Sequence, residues 1–187
     1  MILIAYIYGA KKGRKILAVK KIFAIDPGTW KSAFVIFEFG LEFPISEKGI
    51  LPNQEMRDKL LASRGREDLD LLVLEQYKSY GMPVGDSGLL TVLWSGRFLE
   101  AWGRTFDLLP RKTVAGIICH NARANDANIR RSLIDKLDPC LGMGRSKSGA
   151  PRPTSGVSRD IWSALAVAVA WFERENSLDH IYESTLA

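Results

Sequence analysis

Cysteine, histidine and long apolar runs are all scarce in this chain. Only Cys119 and Cys140 occur among 187 residues. Two thiols at that spacing form neither a zinc site nor a disulfide framework, which excludes a stapled secreted scaffold and points to a reducing compartment. His120 and His180 are the only histidines. Neither has a partner at nucleophile or zinc spacing, and His120 reads as a polar surface residue. The apolar stretch from Ala164 to Phe172 is too short to span a bilayer. Met1 to Ala10 is apolar too, but its basic residues follow it, the reverse of a secretory leader. No internal repeat is found.

What is present is ordinary globular material. Hydrophobic residues make up 47% and charged residues 25%, which excludes wholesale disorder. A chain this long can bury roughly 70% of its unfolded surface in one core. The net charge of +5 permits a nucleic-acid partner without requiring one. The division expected is an extension over 1–20, one domain over 21–175 and a tail over 176–187. The extension, with Lys11, Lys12, Arg14 and Lys15, reads as an edge strand or a loose basic arm.

Lys21 to Ile25 is a short apolar run stopped by Asp-Pro-Gly, a turn signal. Ser32 to Phe39 is β-branched and aromatic and reads as a second strand. Leu41 to Ile45 reads as a third, joined through Gly40. Pro52 to Ser63 has helical spacing. Leu69 to Leu74 is the continuous apolar run of a buried central strand and ends at Glu75. Ser79 to Gly88 is a Gly/Pro loop, with Asp86 or Ser87 placed to cap a helix to Trp102. Thr105 to Leu109 is a further strand, and Ala124 to Leu137 a helix with one apolar side. Asp138 to Gly156 is glycine-rich and basic. Ser158 is placed to cap a last helix to about Arg174. The order predicts an α/β protein with a mixed sheet and helices on its faces. Trp94, Trp102, Trp162 and Trp171 fall on apolar helix faces, as core or dimer contacts.

Three acids stand out by position. Asp26 ends the first core strand, Glu75 ends the buried strand, and Asp160 lies in the first turn of the last helix. Acids at strand ends reach the rim of a sheet, where α/β sites form. Three converging carboxylates repel one another unless cations are present, and Mg²⁺ or Mn²⁺ take oxygen ligands. Two such ions about 4 Å apart can activate water against a phosphodiester. Taken singly, each acid is better explained by a turn, a solvated strand end or a helix dipole.

A resemblance links them. Ala24-Ile-Asp-Pro-Gly28, Leu74-Glu-Gln-Tyr-Lys-Ser-Tyr-Gly-Met-Pro-Val-Gly85, Arg123-Ala-Asn-Asp-Ala-Asn-Ile-Arg-Arg-Ser-Leu-Ile-Asp-Lys136 and Gly156-Val-Ser-Arg-Asp-Ile-Trp-Ser-Ala-Leu-Ala-Val-Ala168 are similar, in order, to segments of the RuvC-type Holliday-junction resolvases, in a phage and bacterial branch. The resemblance spans about residues 22–172. It implies a ribonuclease-H-like mixed five-stranded sheet flanked by helices on both faces. It implies a Mg²⁺-dependent endonuclease, with Mn²⁺ able to substitute, whose metal ligands and catalytic acids are Asp26, Glu75 and Asp160. It implies a homodimer that nicks four-way junctions symmetrically, leaving 5′-phosphates and 3′-hydroxyls, in a bacterial or phage-infected cytoplasm and off the membrane. The Leu89 to Trp102 helix corresponds to the family's dimerisation helix.

The expected DNA-facing residues are Tyr77 and Tyr80, which follow Glu75; Arg111, Lys112 and Arg123; Arg130 on the 124–137 helix; and Arg145, Lys147 and Arg152 on the basic loop. Arg130 and Arg131 point about 100° apart, so they do not share one face. The sequence also departs from the family. Ser163 stands where many members carry a second acid, and reads as a packing residue. Ala115 and Asn125 stand where relatives carry lysines, leaving Arg111, Lys112 or Arg123 to supply the charge. Three other readings stay open: a nuclease for other branched DNA or structured RNA, a non-catalytic DNA-binding module, and an actin-like ATPase, which shares the Asp-x-Gly turn but needs a longer chain and a second phosphate loop.

Overall fold

The computed structural model describes residues 21–42, 44–138 and 152–185, with side chains followed to Ser177. The N-terminal extension, Cys140, Arg145, Lys147 and the His180 side chain lie outside the described residues.

The order is β1 (Lys21–Asp26), β2 (Lys31–Glu38), β3 (Ile45–Pro52), α1 (Asn53–Ala62), β4 (Leu71–Gln76), α2 (Asp86–Trp102), β5 (Phe106–Pro110), α3 (Arg111–Cys119), α4 (Asp126–Leu137) and α5 (Ile161–Thr185). The strands form one sheet in the order β3-β2-β1-β4-β5. β1 pairs antiparallel with β2 and parallel with β4, and β4 pairs parallel with β5. The mixed five-stranded sheet with helices on both faces is therefore present.

Alternation along the central strands divides the core in two. Ile22 and Ala24 of β1, with Leu71 and Val73 of β4, pack under α5, against which α3 and α4 also lie. Phe23 and Ile25, with Leu72 and Leu74, pack on the other face with Met56, Leu60, Phe98 and Trp102 from α1 and α2. Covering on both faces is why these strands read as unbroken apolar runs. Each large side chain so buried contributes about 1.5–3 kcal/mol. Alanines at 24 and 33 in the sheet and at 164, 166, 168 and 170 in α5 all belong to this cluster. Trp102, Trp162 and Trp171 are buried and Trp94 packs at the margin.

Four expectations need correction. The third strand begins at Ile45, not Leu41, because Gly40 turns with φ 85° and Glu38 N–H bonds the Pro44 carbonyl across the turn. Helix α3 was not anticipated: it follows Pro110 without a loop, and Gly116 and β-branched residues hide its Val114, Ala115, Ile118 stripe. Neither Asp86 nor Ser87 caps α2, whose N-cap is Gly85 with no side-chain bond. The last helix runs to Thr185, well past Arg174, and Asp160 stands just before it instead of in its first turn.

Candidate active site

The same alternation aims the acids. Continuing the β1 series Ile22, Ala24 puts Asp26 on the α5 face, and continuing Leu71, Val73 puts Glu75 there too. Because Ile25 is level with Leu74 in the parallel register, the next residues, Asp26 at the end of β1 and Glu75 one residue before the end of β4, lie side by side. Asp160 precedes α5, and its carbonyl accepts from the N–H groups of Ser163 and Ala164.

The three carboxylates share one field. The Asp26 carboxyl is pushed up to about 8, first by burial and then by the negative charges of Glu75 and Asp160; Arg111 and a hydrogen bond from Ser163 oppose this. Burial also raises Glu75, against the pull of Arg111. Ser163 also lines the cleft that holds Asp160.

Asp26 sits on a pinned turn. Gly28 N–H donates to Ser32 Oγ at 3.1 Å, Ser32 Oγ donates to Asn53 Oδ1 at 2.7 Å, and Asn53 Nδ2 donates to the Gly28 carbonyl at 2.9 Å. Ser32 and Asn53 are both buried. A Cβ at residue 28 would lie 2.3 Å from the Lys31 carbonyl oxygen, so only glycine fits. This buried polar triad carried no signal that was read from the sequence.

Arg111, at the start of α3, donates to Glu75 Oε2 at 3.3 Å and pairs with Asp126 at the start of α4. A cleft of about 320 Å³ opens between Arg111, Asp126, Arg130, Arg159, Asp160, Trp162 and Ser163. The Arg130 guanidinium lies over the Trp162 ring, 5.3 Å from its centre. It also borders a second cleft of about 400 Å³ that Arg152 and Thr154 line. Lys112 Nζ stands 3.8 Å over the ring of Tyr80. Tyr80 and Gly81 both have positive φ in a turn closed by Met82 N–H on the Ser79 carbonyl. The side chain of Tyr77 covers Gly88 in the first turn of α2.

The structure thus brings Arg111, Arg130 and Asp160 into one cleft and pairs Lys112 with Tyr80. Arg123 is exposed on the α3–α4 turn and lines neither cleft. The slots read as missing lysines have other duties: Ala115 is buried in the core and Asn125 caps α4 by accepting from Asn128 N–H. Sequence reasoning missed Asp126 and Arg159. Arg159 holds φ 49° immediately before Asp160, a conformation uncommon outside glycine. Its place beside the acid was the available signal.

Among the described residues, no three Asp, Glu, His or Cys side chains stand arranged to hold a metal ion as they are. The donor chemistry nevertheless suits a hard divalent cation, because Asp26 is raised first by burial and then by the negative charges of Glu75 and Asp160, and carboxylate oxygens are the ligands such a cation takes. Arg111 competes for the Glu75 oxygens.

Sheet order and helix placement define a ribonuclease-H-like α/β fold. The chain is similar in structure to the RuvC of Thermus thermophilus, with a TM-score of 0.56 and 12% identity over 84% of this chain and 96% of that one. A structure of T. thermophilus RuvC in complex with a Holliday-junction substrate gives a TM-score of 0.54 and 11% identity over 81% and 92%. At these identities the likeness is one of fold. No family profile and no curated protein sequence matches the chain. No described helix is long and apolar enough to cross a membrane.

Proposed function

We propose that this chain is a divalent-metal-dependent endonuclease that cuts branched DNA, with four-way junctions as substrate. The observation that carries the reading is the placement of Asp26 and Glu75 side by side on adjacent strands, with Asp160 just before α5, on a RuvC-like fold. Asp26, Glu75 and Asp160 would hold Mg²⁺ or Mn²⁺, which would supply an activated water and charge stabilisation at the scissile phosphate. The chain's own residues do the rest. Ser163 and the Ser32–Asn53 triad orient Asp26. Arg111 balances the acids and would face the phosphate. Arg130, held on Trp162, and Arg152 line the path away from the acids and would bind backbone phosphates. Tyr80 with Lys112, and Tyr77, present rings beside Glu75 for stacking on unpaired bases.

A homodimer fits the two-fold symmetry of a junction. Leu89, Val92 and Leu93 of α2 are exposed on one stripe, and we assign that face to the second copy.

The test offers wild type and Asp26→Asn a synthetic four-way junction with Mg²⁺ or Mn²⁺. Paired symmetric nicks by wild type and none by the variant are expected. Normal cutting by Asp26→Asn would refute the site, and preference for flaps, forks or structured RNA in competition would move the substrate. A second reading, a non-catalytic junction binder, is favoured by Arg111 on Glu75 and by the open arrangement of the acids. Tight metal-independent binding with no cleavage would establish it.

A further inference from the structure

Trp30 is 76% exposed, more than any other large hydrophobic side chain among the described residues. An indole left in water on an ordered surface marks a contact surface, because its large apolar area gains from being covered. No ring or cation contact among the described residues involves it. Yet its backbone is fixed. The Trp30 carbonyl accepts from Asn53 N–H at 2.9 Å, and the Ser32–Asn53 triad grips Gly28 two residues earlier. The ring is therefore displayed from a rigid turn only four residues from Asp26. Lys31 beside it is exposed and makes no ion pair among the described residues.

Topology gives this turn its meaning. It joins β1 to β2, so it lies on the β2 side of Asp26 at the end of the sheet where the acids gather. Tyr77, Tyr80 and Lys112 follow β4 and β5 on the opposite side. Two aromatic and basic pairs, Trp30 with Lys31 and Tyr80 with Lys112, thus flank the carboxylates.

We propose that Trp30 stacks on an unpaired base of the bound DNA, with Lys31 on an adjacent phosphate, so that the strand crossing Asp26 is held from both sides. This rests on the nucleic-acid reading above. Base stacking on an aromatic residue tolerates any base, and Trp30 would add affinity for opened DNA without sequence preference.

The experiment compares the full wild-type chain with Trp30→Ala, Trp30→Phe and Lys31→Ala. It measures binding in EDTA to a four-way junction with 2-aminopurine at the crossover, and to a blunt duplex of equal length. Trp30→Ala should weaken junction binding about tenfold and abolish the 2-aminopurine quenching. Trp30→Phe should restore most of both, and duplex binding should hardly change. Thermal unfolding should stay at the wild-type value, since the ring is exposed and is not part of the core. Unchanged junction binding and quenching in Trp30→Ala overturns the proposal. So does an equal loss on duplex, or a loss traced by sedimentation to a dissociated dimer, which would make Trp30 a contact between copies. If wild type bound neither DNA, the nucleic-acid reading itself would fall and this with it.

Discussion

Arg111 donates to Glu75 across 3.3 Å while also pairing with Asp126, so a cation belonging to the protein stands among the acids. It lowers the cost of gathering carboxylates, and it occupies oxygens that a metal ion would take. Arg111→Ala should therefore separate the two roles. Without metal, the variant should lose about 1–2 kcal/mol of stability, because Glu75 is left part-buried without its partner. With Mg²⁺ added, it should recover more stability than wild type does. Urea unfolding in EDTA and in Mg²⁺ measures both, and equal recovery in the two proteins contradicts the competition.

Stability should also depend on pH in a direction opposite to that of most carboxylates. Asp26 titrates at about 8 in the folded chain and near 3.8 unfolded. Between those values the folded state keeps a proton that the unfolded state has lost. Unfolding free energy should then fall as pH rises through this window, by up to about 1.4 kcal/mol per unit, and level off above about 8. Glu75 acts in the same sense. Asp68, held below the usual carboxylate range by Arg66 and Lys21, titrates beneath the window. Asp26→Asn should flatten the slope and be more stable than wild type at neutral pH without metal. Urea melts between pH 5 and 8 in EDTA decide it, and an unchanged slope sinks the assignment.

The exposed stripe on α2 makes a separate prediction. Leu89 and Leu93 are 58% and 55% exposed, so charging them costs the monomer little. Leu89→Glu with Leu93→Glu should yield monomers in sedimentation at an unchanged melting temperature. Paired nicking of junctions should give way to single nicks. A variant that sediments like wild type removes α2 as the interface.

A buried pair at the foot of the basic segment gives the last. Thr154 donates to Asp138, whose other carboxylate oxygen has no hydrogen-bond partner among the described residues. Thr154→Val takes this donor away from a buried carboxyl group and should cost about 1–3 kcal/mol. Differential scanning calorimetry reads the loss directly, and a shift within error refutes it.

The central strands, and the placing of Asp26 and Glu75 at their ends, were legible because two coincident signals marked them. Continuous apolar runs ended at Asp26 and Glu75, and the segments around them resembled one family in order. Helix α3 was hidden because Gly116 and β-branched residues weaken helix propensity, while tertiary packing on α5 overrides it. Asp126 and Arg159 were missed because their nearness to Asp160 is a matter of distances in space. Ser32 and Asn53 were missed for the same reason: polar residues inside a core are informative only once their mutual distance is known. Trp30 escaped because exposure is not a property of sequence, whereas the other tryptophans sit on visibly apolar helix faces.

The Ser32–Asn53 triad ties the Asp26 turn to the first residue of α1, although Asp26 itself points to the α5 face. Both layers must therefore be folded before the acids find their places. The site works as a gauge of global integrity: no fragment holding one layer should retain it. The Gly28 amide, bonded to a buried hydroxyl, should exchange with solvent only as fast as the whole domain opens.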